Sequence, residues 1–403
     1  DLDPTFSVEI DTGSVTNQKQ SGRCWMFSAL NTMRHSIQKE FKLKGFELSQ
    51  SYTFFWDKFE KSNFFFENVI GSADKPLGDR KVSFLFATPQ SDGGQWDMLC
   101  GLIEKYGIVP KKVYPETANS ENSRALNDTL NTMLRKGGLE LRALVNEGKS
   151  AEEVEAHKAE LLDAIFRMLA TSLGLPPKSF NFEYTDDDGN YHIDKDITPQ
   201  DFFKKYVGWD LENYISVING PTADKPYNKV FSVEYLGNVV GGRQVRHLNL
   251  ELSKFKDLII NQLKQGEVVW FGSDVSKGGD REAGLLDTKI YQRDQLFDYD
   301  FSMSKADRLD SGESMMNHAM VITAVDLVDD KPTKWKIENS WGDKPGFKGY
   351  FVMSDEWFDQ FVYQAVLNKA FLPEDVKQAY DEGKENPIEL LPWDPMGALA
   401  FDF

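Results

Sequence analysis

The chain has 403 residues, with 46 Lys and Arg against 64 Asp and Glu and a formal net charge of −18. Hydrophobic residues make up 40% and charged residues 27%, a balance that supports a full core and excludes pervasive disorder. The acidity opposes binding to phosphate backbones, so nucleic acid is not an expected partner, and two cysteines, Cys24 and Cys100, are too few for a disulfide scaffold.

The chain length predicts two or three structural units. No apolar run approaches the roughly 18 residues of a membrane span, and Asp1-Leu2-Asp3-Pro4 has no signal-peptide character. A soluble, cytoplasmic protein in a reducing compartment is expected.

In chain order, Phe6 to Ile10 alternates apolar and polar residues and predicts a short strand, followed by a polar loop from Thr16 to Arg23. From Cys24 the period changes. Met26, Leu30, Met33 and Ile37 recur at helical spacing, which puts Cys24 at a helix N-terminus. Residues 47–70 are crowded with aromatics that read as one buried helix face. The paired glycines Gly93-Gly94, inside Asp92-Gly93-Gly94-Gln95-Trp96-Asp97-Met98, suggest close backbone approach.

Residues from about 119 to 173 read as helical, with a break at Gly137-Gly138 and a fresh start at Ser150. Phe180 to Tyr184 and Tyr191 to Ile193 flank the turn residues Asp186 to Asn190 and predict a hairpin. Thr198-Pro199 begins another helix. Strand candidates then dominate: Val230 to Tyr235, Glu267 to Phe271, Ala319 to Val325, Trp335 to Glu338 and Tyr350 to Met353.

A nucleophilic cysteine needs a lowered pKa, which a helix N-terminus and a neighbouring imidazolium supply. Cys24 meets the first condition, whereas Cys100 lacks any such context and reads as an inert core thiol. Three blocks stand in order: Gln18 to Trp25, Asn317-His318-Ala319-Met320, and Glu338-Asn339-Ser340-Trp341-Gly342. Together they resemble the papain-like cysteine peptidases. The resemblance makes Cys24 the nucleophile, His318 its base and Asn339 the group orienting the imidazole. It also makes Gln18 an oxyanion donor with the Cys24 backbone N–H, and Trp341 a shield over the His318–Asn339 hydrogen bond. His35, His157, His192 and His247 lack such context and read as surface or packing residues.

Two departures refine the resemblance. Ser21 and Arg23 replace the cysteine and small residue of the usual C-G-[SA]-C-[WY] pattern. The interval between Cys24 and His318 also far exceeds the roughly 130–150 residues of simple papain-like enzymes. With the Asp92 to Met98 block, Tyr106 to Lys112 and the terminal Pro392-Trp393-Asp394-Pro395-Met396-Gly397-Ala398-Leu399-Ala400, these features resemble the bleomycin hydrolase and bacterial aminopeptidase C branch. That resemblance implies an α+β fold, a papain-like two-part core with a large, mainly helical insertion. Residues 1–118 would form the helical half, 119–228 the insertion, 229–390 the β-rich half, and 391–403 a tail entering the active-site groove.

The implied activity is that of an aminopeptidase acting on peptides without metal or other cofactor, assembled as a homohexamer. Gly93, Gly94, Trp341 and Ala400 would line the substrate groove. In the branch the chain ends at or just past the position of Ala400, where its carboxylate holds the substrate ammonium. Here Phe401-Asp402-Phe403 follow and span roughly 10 Å, so the tail must fold back or be trimmed to serve that role. A groove open at both ends would make an endopeptidase instead, and an inactive binding scaffold is the alternative from another class. Only 23 residues precede Cys24, fewer than the longer helical arm of the branch.

Overall fold

The computed structural model describes residues 2–401. Asp402 and Phe403, on which the reading of the tail partly rests, lie outside the described residues.

One mixed sheet of twelve strands carries the β-rich part of the chain. Its path runs Ile388–Leu390, Val230–Val233, His247–Asn249, Tyr214–Ile218, Val362–Asn368, Val269–Ser273, His318–Val328, Lys331–Glu338, Tyr350–Ser354, Leu285–Leu286 and Gly279–Asp280, with Val8–Glu9 paired to the far end of His318–Val328. All five strands predicted for the last third are present, as is the hairpin of Phe180–Thr185 and Tyr191–Ile197, and the first predicted strand is reduced to Val8–Glu9. Tyr214–Ile218 and Val362–Asn368, which no alternation in the sequence marks, sit mid-sheet and are almost wholly buried. A strand covered on both faces loses the polar alternation by which strands are recognised.

The helix Cys24–Glu40 buries all of its first eleven residues and packs on the strand His318–Val328 and on the helix Gln50–Gly71. Two bonds fix its first turns to the sheet. Trp270 Nε1 donates to the Trp25 carbonyl at 3.1 Å, and Ser28 Oγ donates to the Ala319 carbonyl at 3.0 Å. Burying indoles and hydroxyls is tolerable because each finds a partner of this kind.

The predicted break at Gly137-Gly138 is absent, because one helix runs unbroken from Arg124 to Asn146. A Cβ on Gly137 would come within 2.9 Å of Leu161 and 3.1 Å of Phe66, and one on Gly138 would come within 3.1 Å of Phe65. These glycines let three helices, Gln50–Gly71, Arg124–Asn146 and Ala151–Leu173, approach closely. The gain in packing offsets the roughly 1 kcal/mol that a helical glycine costs. Ser150 and Thr198 cap their helices as expected, accepting from Glu153 N and Asp201 N. No helix among the described residues is long and apolar enough to cross a membrane.

His247 illustrates a packing histidine with a measurable consequence. It is fully buried, its Nδ1 2.7 Å from Ser216 Oγ, and burial pushes its pKa down from 6.5 to about 4. The unfolded chain therefore binds a proton below pH 6.5 that the folded protein refuses until about pH 4, so stability falls as pH drops through that window. At about 1.4 kcal/mol per unit the loss is roughly 2–3 kcal/mol. Chemical denaturation at pH 7 and pH 4.5 should show His247→Asn losing about 2 kcal/mol less than the parent. An equal loss in both proteins would refute the assignment.

Candidate active site

Cys24 opens its helix behind Arg23, which offers no side-chain cap, so the first-turn N–H groups and the helix dipole bear on the thiol. Cys24 is 4% exposed, and Ala319 N donates to its Sγ at 3.4 Å. This contact sets the sulfur beside the start of the strand that carries His318. His318 is the first residue of that strand, in register with Ser273. Asn339 stands one residue beyond the neighbouring strand Lys331–Glu338. Antiparallel pairing of those two strands brings histidine and asparagine together across a 21-residue separation.

His318 Nε2 lies 3.0 Å from Asn339 Oδ1, which also accepts from Ser340 N at 2.9 Å. An amide oxygen only accepts, so Nε2 carries the proton and Nδ1 is the nitrogen with a lone pair. Burial pushes the His318 pKa down to about 4; the Asn339 hydrogen bond opposes that shift and the Arg281 charge adds to it. Beside a neutral thiol the imidazole is thus neutral. A thiolate would reverse that preference by supplying the opposite charge. The Trp341 ring lies 4.9 Å from the imidazole, centroid to centroid.

Gln18 is held from both ends of its amide. Its Oε1 accepts from Ser340 Oγ at 2.6 Å and its Nε2 donates to the Ser21 carbonyl at 2.8 Å. One N–H of that amide remains for another acceptor. The loop around Gln18 is organised by Arg23, the residue that departs from the usual pattern. Its buried guanidinium makes two bonds to Glu116, at 2.6 and 3.0 Å, and others to the Gln18 carbonyl and Ser21 Oγ. A planar fork of donors suits that set of acceptors, where a small residue would leave the loop untied.

Gly93 and Gly94 pack in different directions. A Cβ on Gly93 would come within 2.2 Å of the Leu399 carbonyl, and one on Gly94 within 2.7 Å of the Trp25 indole. The C-terminal segment Pro395–Ala400 therefore runs against Gly93, one residue from the glycine that contacts the neighbour of Cys24. Ser91 Oγ donates to the Ala400 carbonyl, and Gln95 Nε2 donates to the Met396 carbonyl at 3.4 Å. Phe401 turns onto the Phe84 ring at 5.1 Å.

Beneath this loop lies Asp92, whose own role the glycine motif in the sequence does not disclose. Its carboxylate accepts from Gly22 N at 2.9 Å, Lys58 Nζ at 2.6 Å, Asn127 Nδ2 at 2.9 Å and Ser123 Oγ, while its carbonyl accepts from Trp25 Nε1. Burial pushes this carboxyl up, but the Lys58 ammonium and the hydrogen bonds override it and hold it well below the usual carboxylate range. Cys100 is buried in the helix Trp96–Tyr106, where burial pushes its thiol far up. It is a core residue, as expected. His35, His157 and His192 lie beside Glu338, Glu140 and Asp186 respectively.

A thiol at a buried helix N-terminus, beside a strand-borne histidine paired to an asparagine, defines the arrangement of a papain-like cysteine peptidase. The chain belongs to the peptidase C1-like family, whose model matches residues 1–397. It is 99% identical over 403 residues to aminopeptidase C of Lactobacillus delbrueckii subsp. lactis, covering 100% of this chain and 90% of that protein. Identity to aminopeptidase C of Lactobacillus helveticus is 77% over 403 residues, with the same coverage. Among solved structures, PepW from Lactobacillus rhamnosis HN001 superposes with a TM-score of 0.98 at 64% identity, over 98% of this chain and 89% of that one.

Proposed function

We propose that this protein is a cysteine aminopeptidase that removes N-terminal residues from peptides through Cys24, His318 and Asn339. The Cys24 proton passes to His318 Nδ1, and the thiolate attacks the scissile carbonyl to form a C–S bond. The oxyanion takes hydrogen bonds from the Gln18 amide and the Cys24 backbone N–H, a contribution of about 3 kcal/mol. As the C–N bond breaks, His318 returns its proton to the leaving amine, and a thioester remains on Cys24. Water, deprotonated by the same imidazole, then releases the acid and restores the thiol. Asn339 holds the imidazole in the tautomer that accepts at Nδ1, and Trp341 keeps water from that bond.

The observation that carries the exopeptidase reading is the Leu399–Ala400 backbone lying against Gly93. An extended substrate running past that glycine meets the tail, so only the peptide's first residue or two fit on the acyl side. The names of the similar proteins agree with this reading. In the same reading, the helices Arg124–Asn146 and Ala151–Leu173 of the expected 119–228 insertion pack on Gln50–Gly71, whereas Tyr214–Ile218, inside those bounds, belongs to the main sheet and moves the insertion's end before it.

One aminoacyl reporter in free and N-acetylated forms tests the proposal. The free form is expected to turn over at least about a hundredfold faster by kcat/KM, as an unpaired ammonium site or a steric block at the tail would dictate. Comparable turnover of the acetylated form would favour the endopeptidase.

A further inference from the structure

Arg281 sits in the tight connection between Gly279–Asp280 and Leu285–Leu286. The connection is pinned on both sides of it: Ala283 N donates to Asp280 Oδ1 at 3.0 Å, and Gly346 N donates to the Glu282 carbonyl at 2.9 Å. Arg281 itself is exposed, with its guanidinium carbon 4.4 Å from the centroid of the Trp341 ring. The imidazole of His318 rests on that same indole. In a chain with a net charge of −18, no carboxylate among the described residues lies within ion-pair distance of this guanidinium. The Asp280 carboxylate is turned to a backbone N–H instead.

His318 is the group that protonates the leaving amine, so the side of the site covered by Trp341 receives the departing product. A guanidinium seated over an indole keeps its N–H donors for acceptors around its edge, where carboxylates bind in bidentate fashion. One or two extended residues beyond the scissile bond span about 3.5 or 7 Å, within the compass of one indole. We infer that Arg281 forms a subsite for the C-terminal carboxylate of the leaving product, making di- and tripeptides with a free C-terminus the favoured substrates. The inference rests on the proposed role of Cys24 and His318. Its charge effect on His318 is in keeping with that proximity.

The test compares Leu-Ala and Leu-Ala-Ala with their C-terminal amides, in the parent, Arg281→Ala and Arg281→Lys, beside a leucyl anilide whose leaving group has no carboxylate. The parent should favour at least one free acid over its amide by roughly tenfold in kcat/KM, as a charge-assisted hydrogen bond to a partly solvated carboxylate provides. Arg281→Ala should erase that preference, read as the acid-to-amide ratio of kcat/KM, in which any effect of the lost charge on His318 cancels. Arg281→Lys should keep part of it. An unchanged acid-to-amide ratio in Arg281→Ala, or an equal fall for acid, amide and anilide, would overturn the subsite. Cleavage that survives Cys24→Ala would overturn the reading of the site as well.

Discussion

Replacement of Cys24 by alanine should lower kcat/KM for an aminoacyl reporter by at least about 10⁴-fold while leaving the far-ultraviolet circular dichroism unchanged. The expectation follows from where the sulfur lies. Its helix has no side-chain cap, so backbone N–H groups and the dipole favour the thiolate. The strand start that carries His318 is held against it by the Ala319 N–H contact and the Ser28 bond, and the neighbouring strand by the Trp270 bond. In the proposed mechanism, removing the nucleophile removes covalent catalysis as a whole. Cys24→Ala combined with His318→Ala should therefore be scarcely worse than Cys24→Ala alone, since groups acting as one unit are not additive. Alkylation gives an independent readout: brief iodoacetamide treatment should add one label, on Cys24, because burial keeps the Cys100 thiol protonated. Substantial turnover by Cys24→Ala, or preferential labelling of Cys100, would reject the assignment.

Much of this architecture is legible in the sequence where a residue type has one physical use. The change of period at Cys24 and the three ordered blocks around Cys24, His318 and Asn339 locate the elements of the site, because each block must supply a particular group. What stays hidden depends on neighbours distant in the chain. Gly137-Gly138 reads as a break until the Phe65, Phe66 and Leu161 side chains that need the space are in view. Val362–Asn368 carries no alternation because both faces are covered. Arg23 looks like a deviation, and its reason, the pair of bonds to Glu116, lies 93 residues away. Arg281 is one of 46 basic residues and acquires meaning only from the indole beneath it. For Asp92 a signal existed: an acidic residue directly before a glycine pair that must pack tightly needs donors around it. Nothing in the sequence says that those donors come from Gly22, Lys58, Ser123 and Asn127.

Asp92 also yields the largest expected effect on stability. Lys58 and Asp92 are 0% and 2% exposed at their side chains and 2.6 Å apart. Asp92→Ala leaves a buried ammonium without its counter-ion, a change that costs about 3–5 kcal/mol. Asp92→Asn should lose most of the same amount, because an amide offers one acceptor oxygen where four donors converge and turns its own N–H groups toward some of them. The carboxylate also ties Gly22, in the loop between Gln18 and Cys24, to Ser123 and Asn127, while its carbonyl holds the Trp25 indole. Two consequences can therefore be separated. Lys58→Met in the Asp92→Asn background removes the uncompensated charge and should restore most of the lost stability, read from the denaturant midpoint. The Gly22 loop would still lack its anchor, so kcat for the aminoacyl reporter should stay at least about tenfold below the parent. Recovery of kcat along with stability would show instead that Asp92 serves the fold alone and that the oxyanion loop is held by Arg23 and Ser340 without it.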